Sequence, residues 1–145
     1  MRKEHRVFGI LLAAVFLLGG CSRLETLSPS VCRVVTGISV DFEHRGLRAN
    51  RNYTAAEKMQ QVLNYLRIID PYGNPEEDPE TAEGSSFRIT LSYSDGHQKV
   101  YLQKSDRFMK TDNGNWKKID PDRALELGRI LGRLESDPVR ERVLP

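Results

Sequence analysis

The chain is poor in the residues that usually carry chemistry. It has 2 cysteines, Cys21 and Cys32, too few for a disulfide framework to hold the fold. Its 3 histidines, His5, His44 and His97, stand far apart with no ligand spacing around them, which gives no zinc or catalytic-histidine signature. His44 and His97 both read as solvent-exposed turn residues. There is no glycine-rich phosphate loop and no nucleophile-elbow pattern. Excess charge of either sign is also missing once the N-terminal segment is set aside. Residues 1–20 hold three of the 22 basic and one of the 20 acidic side chains, leaving 19 of each on residues 21–145. A neutral balance of this kind argues against nucleic acid as a partner. The 125 remaining residues make one domain's worth of chain.

Arg2, Lys3 and Arg6 open the sequence, and a 12-residue apolar run, Val7 to Leu18, follows them. That run is short of the roughly 20 residues a membrane span needs. A positive start, a short apolar stretch and small residues before a cut are the parts of an export signal. Leu18-Gly19-Gly20-Cys21 closes the segment. In this motif the chain resembles the bacterial lipoproteins, whose lipobox is Leu, two small residues and Cys. The resemblance implies cleavage between Gly20 and Cys21, a diacylglyceryl group on the Cys21 sulfur, and acylation (palmitate or a similar chain) of the new amino group. It implies a protein tethered by lipid on the extracytoplasmic side of the cell membrane, or on the outer membrane in a cell with two membranes, with which Ser22 is compatible. An ordinary secretory peptide and an uncleaved anchor are the alternatives. Two or three acyl chains anchor stably, since each buried methylene contributes about 0.8 kcal/mol. With Cys21 lipidated, Cys32 has no partner in the chain and reads as a small apolar residue at the start of the first strand, with a free reactive thiol or an intermolecular disulfide as the alternatives.

The sequence divides into a signal over residues 1–20, a lipidated cysteine and tether over 21–32, a domain over 33–138 and a charged tail over 139–145. Val34, Thr36, Ile38, Val40 and Phe42 alternate as one face of a first strand. Glu43 to Asn52, with Arg45, Arg48 and Arg51, reads as either a short strand or a loop. Thr54 and Glu57 have the spacing of a capping box. Met59, Val62, Leu63, Leu66 and Ile69 then recur at helical spacing until Asp70-Pro71. Residues 70–85 carry 6 acids and no base, and read as a solvated loop without the ligand order of a calcium site. Phe87, Ile89, Leu91 and Tyr93 alternate in a strand before the Asp95-Gly96 turn. Three further short strands follow, over Gln98–Gln103, Arg107–Thr111 and Trp116–Ile119. Asp120-Pro121 opens a last helix, with Asp as N-cap and Pro in its first position. Leu127, Ile130, Leu131 and Leu134 are its apolar stripe, Ala124 and Gly128 allow close approach, and Asp137-Pro138 ends it. The fold class is α+β, a single antiparallel sheet of about four to five strands with two helices on one face.

Charge asymmetry is the one functional signal in the domain. Residues 86–119 hold 7 basic side chains against 3 acidic ones. Arg88, Lys99, Tyr101, Lys110, Trp116 and Lys118 make up a candidate basic and aromatic binding face. It suits an anionic envelope polymer or a protein partner. The domain broadly resembles small bacterial lipoprotein domains in Tyr53-Thr54, Asn64-Tyr65-Leu66-Arg67, and Trp116 followed by Ile119-Asp120-Pro121. That likeness brings no functional residues with it. The expected role is a binding module of the cell envelope, with no enzymatic activity and no cofactor. An inhibitor-like module that protects the envelope from a hydrolase, and a small hydrolase, are the other readings.

Overall fold

The computed structural model of the protein describes residues 33–138. The expected signal cleavage site at Gly20 and Cys21, the expected lipidation at Cys21, the expected tether with Cys32, and the tail all lie outside the described residues. Strands β1 (Val35–His44), β2 (Leu47–Tyr53), β3 (Ser86–Tyr93), β4 (Gln98–Lys104), β5 (Phe108–Thr111) and β6 (Lys117–Lys118) form one antiparallel sheet. Its spatial order is β2-β1-β3-β4-β5-β6, six strands rather than four or five. The added strand is β2, the edge partner of β1. Its sequence LRANRNY shows no apolar alternation because most of it is exposed. Arg45 (φ 49°) and Gly46 (φ 79°) form the two-residue turn that joins β1 to β2.

Helices α1 (Ala56–Ile68) and α2 (Pro121–Arg133) join the sheet in one core. From the strands come Ile38, Val40, Tyr53, Ile89, Leu91 and Met109, and from the helical segments Val62, Tyr65, Ile69, Ala124, Leu127 and Ile130. The expected core stripes hold, but Tyr65 must be added to the first. It is 1% exposed, and its hydroxyl donates to Gln103 Oε1 from β4. Gly128 does not mediate a close approach: it is exposed, and a Cβ there would touch nothing. The β1 face also shifts. Val34 is 59% exposed, whereas Val35 packs on the core, because a bulge between Val35 and Gly37 inserts an extra residue before Ile38.

Both helix starts are capped, by different means. Asp120 caps α2 as its sequence indicates, accepting from the Arg123 N–H at 3.1 Å, with Pro121 next. The Thr54–Glu57 box does not form, and Ala55 at the N-cap of α1 has no side-chain cap. Asp137 takes over instead. Its Oδ2 accepts from the N–H groups of Thr54 and Ala55, each at 2.8 Å, and its Oδ1 accepts from the Lys58 ammonium. A full negative charge beside a helix N-terminus and a lysine outcompetes a neutral hydroxyl. α2 ends at Arg133, four residues before Asp137-Pro138, with Leu134 already extended. The segment after it runs back to α1 and β2, where the Asp137 N–H donates to Asn52 O at 2.7 Å.

The Lys58 ammonium, then the Ala55 and Thr54 N–H groups, hold the Asp137 carboxyl well below the usual carboxylate range. An unfolded Asp titrates near 3.9, so the stabilisation from Asp137 is complete above that pH. It fades as pH falls through the depressed folded value. Asp137→Asn is therefore expected to lower the urea midpoint at pH 7 and to lose less of it between pH 4 and pH 2 than the parent chain. Urea titrations across that pH range provide the check.

Candidate functional site

The sheet's second face is the candidate site. Cross-strand register sets two rows of side chains on it. One runs Asn50, Asp41, Arg88, Leu102 and Lys110. The other runs Arg48, Glu43, Ser86, Lys104, Phe108 and Lys118. Many of these groups are already ordered by one another. Asn50 donates to Asp41 at 2.6 Å and to Ser39 at 3.0 Å, and Arg48 pairs with Glu43 at 3.2 Å.

Residues 70–85 are mostly exposed, as expected of a solvated loop, but they lie across this face rather than away from it. After α1 the chain pairs at the β6 edge, where Tyr72 and Lys118 exchange two backbone hydrogen bonds of 2.9 Å. It then carries its acids over β5 and β6. Glu76 lies 3.9 Å from Lys118, Glu77 pairs with Arg107, and Glu80 lies 3.8 Å from Lys110 while accepting from the Trp116 indole N–H at 3.0 Å. A short 3₁₀ turn over Pro79–Thr81, capped by Asp78, fixes the middle of the crossing and buries Pro79. Ser85 O then accepts from the Ser105 N–H at 2.7 Å as the chain enters β3. Apolar burial accompanies the ion pairs: Phe108 is 3% exposed yet stands apart from the main core. We call residues 70–85 the acidic strap.

Two cavities adjoin the strap. A groove of about 750 Å³ lies over β1 to β4, with Arg88, Leu102 and Lys104 on its floor and Glu80 and Trp116 at its side. A smaller one of about 400 Å³ lies among Tyr72, Glu76, Glu77, Arg107, Phe108 and Lys118.

Of the six residues expected to share a binding face, the structure brings four together, three of them by strand register. Arg88, Lys110 and Lys118 project from the strap-bearing face, and Trp116 joins them through Glu80. Lys99 and Tyr101 do not belong with them. They pair with Leu91 and Ile89, so they lie on the helix-bearing side, where Tyr101 packs against the core. The Lys99 ammonium sits 5.0 Å from the Tyr101 ring, and its hydrogen bond to Tyr101 raises its pKa above the ordinary lysine value. Strict alternation along β4 separates residues 99 and 101 from 102 and 104. Arg107 belongs to the site and was missed, because it precedes β5 and only its contact with Glu77 places it there.

Candidate catalytic groups are sparse. Among the described residues no three His, Cys, Asp or Glu side chains gather as metal ligands. His44 is not a free turn residue. It ends β1, is half-buried, stacks on Phe42 and has Nδ1 2.9 Å from Ser85 Oγ. Among the described residues no carboxylate hydrogen-bonds its ring, so the contact lacks the third group that orients an imidazole base. His97 does lie in a turn, with its backbone N–H 3.0 Å from Asp95 Oδ1. That bond is the main reason the Asp95 carboxyl titrates below its ordinary value. Gly96 (φ 85°) supplies the turn's left-handed residue. No described helix is long and apolar enough to cross a membrane. Comparison with family models, curated proteins and solved structures gives no match.

Proposed function

We propose that the protein is a lipid-tethered binding module of the cell envelope that uses the strap-bearing face of its sheet as the contact surface. The observation that carries the tether is the sequence of the N-terminal segment: three basic residues, then a 12-residue apolar run, then Leu18-Gly19-Gly20-Cys21. Support for binding comes from the face itself. It offers a groove of about 750 Å³ with Arg88, Leu102 and Lys104 on its floor and Trp116 at its border. Concave surfaces with a few convergent polar groups are where ligands dock. In this reading Cys21 carries the lipid, residues 22–32 are the spacer, and the domain stands close to the bilayer. Eleven extended residues reach at most about 40 Å.

Metabolic labelling with radioactive palmitate, followed by membrane fractionation, tests the tether. The parent chain is expected to take up label and sediment with membranes. Cys21→Ala is expected to take up none and either to leave the membrane fraction or to keep residues 1–20. Label in the Cys21→Ala chain equal to that of the parent would overturn the tether.

A further inference from the structure

On the strap-bearing face, each of three cations is held between an aromatic ring and a strap carboxylate. Lys110 Nζ lies 4.7 Å from the Trp116 ring centre, with Glu80 beyond it. Lys118 Nζ lies 5.6 Å from the Tyr72 ring, with Glu76 beyond it. The Arg107 guanidinium carbon lies 5.4 Å from the Phe108 ring, with Glu77 beyond it. The two sides of this arrangement differ in how firmly they are fixed. The cations are 22%, 35% and 43% exposed for Lys110, Lys118 and Arg107, whereas Glu80, Glu76 and Glu77 are 64%, 94% and 56% exposed. Ring stacking and the strand backbone position the positive groups, while the carboxylates lie outermost, in water. Exposed pairs of this kind contribute little individually and are screened by salt.

We propose that Arg107, Lys110 and Lys118, with Trp116, form a binding site for a linear polyanion, and that Glu76, Glu77 and Glu80 occupy it as an internal stand-in for that ligand. Lys118 stands opposite Phe108, two residues from Lys110 on one face, which makes the two lysines diagonal neighbours about 7–8 Å apart. An extended chain with negative groups at a comparable interval can replace the strap carboxylates one for one. A flat bilayer cannot reach cations recessed behind the strap, so the geometry favours a flexible polymer over a lipid surface. The strap is held by backbone bonds at Tyr72 and Ser85, and between them largely by the 3₁₀ turn and these pairs. Displacing its carboxylates therefore leaves its ends in place. This deepens the proposed use of the face and depends on that reading, but not on the lipid at Cys21.

The test uses the full chain in uncharged detergent, with linear inorganic polyphosphate as the probe. Trp116 is the only tryptophan in the sequence, so its emission reports directly from the site. The variant Glu76→Gln/Glu77→Gln/Glu80→Gln is expected to bind about tenfold tighter than the parent, the combined effect of three exposed pairs, with a change in Trp116 emission. Glu57→Gln/Asp122→Asn/Glu135→Gln alters net charge equally at exposed positions away from this face, and is expected to gain far less. Adding Lys110→Gln/Lys118→Gln to the strap variant is expected to abolish the gain. The proposal is overturned if the strap variant binds no tighter than the charge-matched control. It is equally overturned if the gain survives loss of both lysines, or if phosphatidylglycerol vesicles outcompete the polymer at equal phosphate. Polyphosphate binding by the parent with no gain in the strap variant overturns the stand-in alone, whereas no binding by the parent or any variant overturns the use of the face as well.

Discussion

Leu127→Ala is expected to lower the unfolding free energy of the domain by about 3 kcal/mol, within the range for large-to-small changes in a packed core. Leu127 has no exposed surface and sits between the two helices and the sheet. Truncation removes transfer energy and leaves a cavity that several rigid neighbours cannot close. For a domain of this size the expected fall in Tm is roughly 15 °C. Leu125 on the same helix is 52% exposed and supplies the comparison. Leu125→Ala is expected to stay within about 0.5 kcal/mol of the parent. Thermal denaturation followed by circular dichroism separates the two. Equal losses at both positions would mean that α2 does not bury the face described.

Tyr65→Phe removes a single oxygen and is expected to cost about 2 kcal/mol, because it strands a buried acceptor. The Tyr65 hydroxyl donates to Gln103 Oε1, and Gln103 Nε2 in turn donates to Ser105 O at 3.2 Å. Gln103 is 2% exposed, so its released oxygen finds no water. Replacing both partners is expected to recover part of the loss: Tyr65→Phe/Gln103→Leu should be more stable than Tyr65→Phe alone. The pair also has an alkaline signature. Burial pushes the Tyr65 hydroxyl well above its ordinary value, and the hydrogen bond to Gln103 opposes this only in part. Its contribution is complete below about pH 10, where an unfolded tyrosine stays protonated. It is lost as pH rises toward the raised folded value. Between pH 9 and pH 11 the urea midpoint of the parent should therefore fall more steeply than that of Tyr65→Phe.

The parts of the fold legible in the sequence were those whose cause is local. Asp120-Pro121 marks the start of α2 because cap and first turn are neighbours in the chain. The β3 alternation of Phe87, Ile89 and Leu91 reads correctly because every second residue meets the same core. Elements set by distant partners were not legible. The cap of α1 comes from Asp137, more than eighty residues away, and a plausible local box concealed it. β2 carries no apolar signal because pairing to β1, not burial, makes it a strand. The bulge after Val35 moved the apolar face by one residue, which alternation alone cannot show.

The candidate face was half legible. Composition revealed a basic region and an acidic one but not that the second lies on the first. Nor could it show that Lys99 and Tyr101 face the other way, since that depends on the register between β3 and β4. Arg107 precedes a strand and showed nothing in its own sequence neighbourhood. Its role follows only from where Glu77 lands.

The bond network around Asp137 also imposes an order on assembly. A chain emerging N-terminus first presents Thr54, Ala55 and Lys58 long before the carboxylate that completes their helix. Until position 137 clears the exit, α1 lacks its charged partner and β2 lacks the backbone contact at Asn52. Closure of the first half of the domain thus waits for position 137, so a chain halted at Arg133 would carry the sequences of both helices and no latch.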